Sequence, residues 1–143
     1  MSTEKNFEEV ELNKEDLEWI NTSLKIAREM VEFYLKVKPE YYYEPELLDK
    51  VFIECLKDLD NKMIQPNVVV AAIGSAMGQC LIDRLGFKWI IYKDDQGTDL
   101  ALKHPVSGWI SYPMSSVYTR LETKERGFVK GIFDTFKNEM DKE

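Results

Sequence analysis

Histidine is nearly missing from this sequence: His104 is the single copy, and there are two cysteines, Cys55 and Cys80, 25 positions apart. Ser-His or Cys-His catalysis would have to run through that one imidazole. A tetrahedral zinc site would need carboxylates to complete it. No apolar run approaches the roughly 20 residues needed to cross a bilayer; the longest, residues 68–73, is interrupted at Gly74. Residues 1–12 are polar and acidic, without the apolar core of an export signal. Positive charge is scarce too, with 19 Lys+Arg against 26 Asp+Glu and a net charge of −7. Such a surface repels nucleic-acid phosphates and anionic lipid headgroups. The expected partner is therefore a protein, basic in character because opposite charge speeds encounter, and neither nucleic acid nor a membrane. A cytoplasmic location is expected, with both cysteines as buried thiols that pack like small hydrophobes.

The remaining composition suits a filled core, and the 143 residues fit one domain. Residues 1–12 read as a loosely held lead-in. A first helix is expected over residues 14–36: Asn13 is a good N-cap, and Leu17, Ile20, Leu24, Ala27, Val31 and Leu35 form one apolar stripe before Pro39. Pro45 fits the first turn of a second helix running to about residue 60, with Leu48, Val51, Phe52, Cys55, Leu56 and Leu59 inward. A third, over residues 68–85, is apolar nearly all round and should lie centrally. Gly74 and Gly78 within it weaken the helix relative to alanine, which suggests close approach of another element.

The period then changes to two. Strands are expected over residues 87–92, 98–104 and 109–112, joined by Asp94-Asp95-Gln96-Gly97 and Pro105-Val106-Ser107-Gly108. The first turn reads as a type I turn with Gly97 left-handed in a bulged loop, and Gly108 closes the second. A short helix from Pro113 to about residue 122 and a last one over residues 124–140 follow, the latter carrying Phe128, Ile132, Phe133 and Phe136 on a face that should cover the sheet or the first helix. The expected fold is α+β, ordered ααα-βββ-αα around a three-stranded antiparallel meander, with residues 66–123 as its helix-meander-helix core.

No catalytic, metal or cofactor-binding constellation emerges. His104, next to Pro105, reads as an ordinary turn histidine. Asp94, Asp95 and Asp99 miss calcium-loop spacing, since Tyr92 would stand at the first ligand position. Gly74-Ser75-Ala76-Met77-Gly78 lies inside a helix and has no Gly-Lys-Ser/Thr after it, so it is no phosphate loop. Trp89 and Trp109 read as sheet-face packing. The oddity is Tyr41-Tyr42-Tyr43-Glu44, three tyrosines between two prolines. One reading has two rings wrapping helix ends and one half exposed. The other makes them an aromatic anchor, ringed by Glu40, Glu44 and Glu46, for a basic partner.

An ordered set of motifs carries a family likeness: Gly74-Ser75-Ala76-Met77-Gly78-Gln79, Leu85-Gly86-Phe87-Lys88-Trp89, Gly97-Thr98-Asp99-Leu100-Ala101-Leu102 and Tyr112-Pro113-Met114-Ser115-Ser116-Val117. Over residues 66–123 this resembles a bacterial family, domain of unknown function 3806. The resemblance implies no activity; it implies architectural roles for Gly74, Gly78, Trp89 and Gly97, to which the turn chemistry adds Gly108. A looser likeness, by class and charge alone, is to immunity proteins of bacterial toxin systems. The leading expectation is a non-enzymatic interaction domain, in one form an immunity-type inhibitor of a basic partner. The alternatives are a small-molecule binding domain or enzyme with a pocket between helices and sheet, and a homo-oligomeric structural domain.

Overall fold

The computed structural model describes residues 8–142. The chain forms β1 (Glu8–Val10), α1 (Lys14–Leu35), α2 (Pro45–Asp60), α3 (Pro66–Leu85), β2 (Lys88–Asp94), β3 (Gly97–Lys103), β4 (Ile110–Ser111), α4 (Pro113–Thr123) and α5 (Phe128–Asp141). The strands make one antiparallel sheet in the order β1-β2-β3-β4. The α+β class and the meander are present.

The sheet nevertheless has four strands, and the extra one comes from the expected lead-in. Residues 8–10 pair with the far edge of β2: Glu8 with Lys93, Glu9 with Tyr92, Val10 with Ile91. Lys103 Nζ binds Glu9 Oε1, and Tyr92 donates its hydroxyl to the same carboxylate at 3.2 Å. Cross-strand charge complementarity thus holds an acidic strand that propensity alone would not favour. Residues 1–7 lie outside the described part.

The helices follow the expected stripes with shifted ends. In α1 a reciprocal capping box joins Asn13 and Asp16, and the helix stops on a left-handed Lys36 before Pro39 is reached. Leu17 leaves the apolar stripe and is 49% exposed. α3 starts two residues earlier than expected, because Pro66 takes the first-turn position where its missing N–H costs nothing. Contrary to the expectation that no apolar segment reaches that length, it is long and apolar enough to cross a membrane by length and composition, because the helix runs on through Gly74 and Gly78; 56% of its most apolar window is buried inside the protein. Its packing explains that composition, since α1, α2, α4, α5 and β2 all lie against it. α5 starts at Phe128, four residues later than expected. Lys124 and Gly127 are both left-handed, which breaks the chain there, and Asp49 of α2 accepts from Val129 N at 2.9 Å and Lys130 N at 3.0 Å. A side chain from another helix thus serves as the N-terminal cap of α5.

The face of α5 splits between two neighbours. Phe128 meets Phe52 of α2 edge-on at 4.9 Å between ring centroids, while Phe133 and Phe136 pack with Phe87, Leu102 and Trp109 at the base of the sheet. The Asp94–Gly97 turn is tighter than expected. Asp94 pairs directly with Gly97, so the loop is Asp95-Gln96 with no bulged residue, and Gln96 N donates to Asp94 Oδ1 at 2.8 Å. Gly97 has φ +131°. At the second turn Gly108 has φ +79° and donates to the His104 carbonyl at 2.9 Å.

The two helix glycines meet different partners. A Cβ on Gly74 would stand 3.1 Å from Met114 at the start of α4. A Cβ on Gly78 would run into the Trp89 ring, 2.6 Å from Cζ2, and lie 3.1 Å from Leu102 Cδ1. Trp89 and Leu102 are cross-strand partners. The inner sheet face therefore seats on α3 at Gly78.

Candidate functional site

β1 is shorter than its partner. Its pairing with β2 ends at Val10↔Ile91, while β2 stays paired with β3 down to Lys88↔Lys103. The chain leaves the sheet after Val10 because Asn13 has to cap α1. Residues 88–90 thus have β3 on one side and, among the described residues, no strand on the other.

A groove of about 840 Å³ opens there. Val10, Leu12 and Leu17 form one wall, Gln79 and Ile82 of α3 the floor, and residues 88–90 the opposite wall. Phe87, Lys103 and Pro105 also line it. Leu17 is 49% exposed and Val10 38% exposed. Around this apolar lining stand Glu9 and Glu11, and the first turns of α1 add Glu15, Asp16 and Glu18. The cations at the groove are Lys88 and Lys103, of which Lys103 is held by Glu9. That pairing keeps the Glu9 carboxyl below its ordinary range, chiefly through the hydrogen bond from Lys103. The indole N–H of Trp89 is buried and has no hydrogen-bond acceptor among the described residues.

The tyrosine connector lies on another part of α3, and its polar groups are engaged internally. Tyr41 donates to Asp83 Oδ2 at 2.9 Å, Tyr42 donates to Glu32, and Arg28 Nη1 donates to the Tyr43 hydroxyl at 2.6 Å. Glu44 takes both arms of the Arg84 guanidinium, which also stacks 4.5 Å over the Tyr41 ring. All three rings are half-buried, and Tyr41 meets Tyr43 edge-on at 5.6 Å. Burial, and then the bond to Asp83, raise the Tyr41 phenol above its ordinary range. Asp83 also accepts from Gln79 Nε2 at 2.8 Å. The connector therefore braces the helix whose next turn forms the groove floor.

His104 is a structural tie. Its Nδ1 accepts from Val106 N at 3.3 Å and Ser107 N at 3.2 Å, which leaves the proton on Nε2 to donate to the Leu85 carbonyl at 3.0 Å. It thereby locks the end of α3 to the second turn. Cys55 and Cys80 are buried free thiols, pushed up by burial to about 12 and about 11; at neutral pH they are protonated and poorly nucleophilic. Among the described residues no group of three or more His, Cys, Asp or Glu is placed to hold a metal.

The sequence allowed a pocket between helices and sheet but named no residues for it, although a signal existed. Glu9-Val10-Glu11-Leu12 alternates with period two, the pattern of a half-buried strand. It is too short to stand out from an acidic terminus.

The fold and the groove define an α+β domain in which five helices flank a four-stranded antiparallel sheet, left open beside its second strand. The family model described as Domain of unknown function (DUF3806) matches residues 55–133, more than half of the chain, and the chain belongs to that family. The match takes in α3, the meander and α4, and extends into α2 and α5. A crystal structure from Bacteroides thetaiotaomicron VPI-5482 is similar over 100% of this chain, with a TM-score of 0.65 and 18% identity. At that identity the likeness is one of fold. This chain spans about half, 51%, of the length of that protein. No curated protein matches the sequence.

Proposed function

We propose that this domain is a non-enzymatic binding module that receives a segment of a partner protein in the groove between β1, α1 and β2. The observation carrying this reading is the groove itself: about 840 Å³ of space with apolar walls beside an uncovered strand edge. An apolar lining with a few polar groups is the usual make-up of a binding site. The local excess of carboxylates, with Glu8, Glu9, Glu11, Glu15, Asp16 and Glu18 against Lys14, Lys88, Lys93 and Lys103, favours a basic segment. An immunity-type inhibitor of a basic toxin is the finer form of this reading, supported by class and charge alone.

The test is a titration of the ¹⁵N-labelled full chain with a five-residue peptide alternating lysine and leucine, blocked at both ends. Amide shifts are expected at Leu12, Leu17, Gln79, Ile82 and Trp89, with affinity falling as salt rises from about 0.05 to 0.5 M. No shift in the groove, or shifts centred on Tyr41, Tyr42 and Tyr43, would overturn the reading.

A further inference from the structure

We infer that a second copy of this chain docks on α1, antiparallel to it, through the row Trp19, Ile26 and Phe33, with a two-fold axis passing at Ile26. The inference is independent of the groove, because Leu17 lies half a turn around α1 from Ile26.

Spacing is the first support. The three residues stand seven apart on one helix, so they fall in a single row that drifts by about 20° per step. Trp19 is 46% and Phe33 64% exposed, whereas Ile26 between them is half-buried against the main core. The row therefore has a large ring standing out at each end and a low aliphatic step at its centre. Exposed aromatic rings of this kind are common anchors of interfaces.

Symmetry is the second support. Trp19 and Phe33 lie equally far from Ile26, about 10 Å on either side. With Ile26 against its own copy, Trp19 meets the partner's Phe33 and Phe33 meets the partner's Trp19. A two-fold interface needs one patch that complements itself in this way.

Charge is the third support, and it selects the antiparallel sense. The exposed charges of α1 and its C-cap are Glu15, Glu18 and Glu29 against Lys14, Lys25 and Lys36. They balance, although the chain as a whole carries −7. Lys14 and Glu18 pair with each other at 3.9 Å, while Glu15, Lys25 and Glu29 make no ion pair among the described residues. Lys36 stands beside the row, its Nζ 4.9 Å over the Phe33 ring. The two-fold brings Glu15 to the partner's Lys36, and Lys25 within a turn of the partner's Glu29, each contact occurring twice. A parallel pair would set each of these charges against itself. The antiparallel sense also aligns the two helix dipoles favourably, and repulsion between the two acidic chains is screened beyond about 8 Å at physiological salt. From Trp19 to Phe33 the row is about 21 Å long. One helix pair of that length makes a small interface, so the dimer is a weak one, with a Kd of about 10–100 µM.

Sedimentation equilibrium of the full chain from about 5 to 500 µM, at about 0.15 M salt, reads the association. A monomer–dimer equilibrium is expected. Phe33→Ser should weaken it at least about tenfold, with the urea midpoint nearly unchanged because the ring is mostly exposed. Lys36→Glu sets like charges together at two symmetric places and should weaken the dimer about tenfold. Adding Glu15→Lys to it restores the pairing with the signs exchanged, and the affinity should return to within about threefold of the unsubstituted chain. A chain that stays monomeric at the highest concentration, or a dimer that Phe33→Ser leaves intact, would overturn the inference. Failure of Glu15→Lys to rescue Lys36→Glu would overturn the antiparallel register. A dimer lost in Leu17→Gln and kept in Phe33→Ser would put the second copy in the groove instead.

Discussion

The connector at Tyr41–Glu44 and the groove beside β2 make an instructive pair. Both border α3, and both combine carboxylates with large side chains. In the connector each tyrosine hydroxyl has an internal partner, and Arg84 answers Glu44 with both arms. In the groove, leucine and valine side chains stay exposed and, among the described residues, one strand edge is unpaired. A residue-rich motif can be consumed by the fold, whereas a binding surface can arise from a mismatch in length between two strands. Substitutions on the closed parts should therefore cost stability, and substitutions in the groove should not.

The largest expected effect is at the contact beneath the groove. Gly78→Val drives two methyl groups into the Trp89 ring and Leu102, and overpacking of this kind costs about 3 kcal/mol. Urea denaturation of the purified variant reads it. In a double-mutant cycle, Trp89→Leu should cost less in the Gly78→Ala background than in the unsubstituted protein if the indole is the obstacle; additive effects would place the strain elsewhere.

That contact also marks how far the sequence could be read. Two glycines on a helix imply close neighbours, and Leu85-Gly86-Phe87-Lys88-Trp89 announces a strand carrying a large ring; both features recur in the fold as close packing at Gly74 and Gly78. Which residue faces which glycine was hidden, because the pairing is set by tertiary docking. The same holds for Asp49, an unremarkable helix acid by sequence that caps α5 80 positions away. β1 was hidden for a different reason: three residues are too few for a periodicity, and their partners Lys93, Tyr92 and Lys103 come from distant strands. The groove depends on where β1 stops, so it was hidden with β1.

The next largest effect is at Asp49. Removing its carboxylate in Asp49→Ala leaves the Val129 and Lys130 amides without their acceptor, at a cost of about 1–2 kcal/mol. Burial raises the Asp49 carboxyl above its ordinary range, against the lowering effect of the two amides. A folded-state value above the unfolded one favours the fold when the group is protonated. This contribution is full below the unfolded carboxyl value and fades as pH climbs through the raised folded one. Asp49→Asn should remove that acid-range slope from the chemical-denaturation profile, so an unchanged slope would assign the titration to another group.

A smaller effect is expected in the connector. Tyr41→Phe deletes one hydroxyl bonded to Asp83 while keeping the ring under Arg84, a loss of about 1 kcal/mol. Since Asp83 also holds Gln79, the amide signals of Gln79 and Ile82 should shift with it. If they stay fixed while stability falls, the connector braces α1 and α3 without reaching the groove.

The smallest stability effect is also the sharpest separation of the two regions. Leu17 belongs to the apolar stripe of α1 by spacing, yet it is 49% exposed and lines the groove. Leu17→Gln should change folding stability by no more than about 0.5 kcal/mol, as surface substitutions do, because little buried area is lost. It should weaken the lysine–leucine peptide several-fold by removing apolar contact from one wall. The change carries no charge, so the salt dependence of the remaining affinity should stay as it was. Loss of more than about 1 kcal/mol of stability would put Leu17 in the core and dissolve the contrast. Unchanged stability together with unchanged peptide affinity would move the binding surface away from the α1 wall.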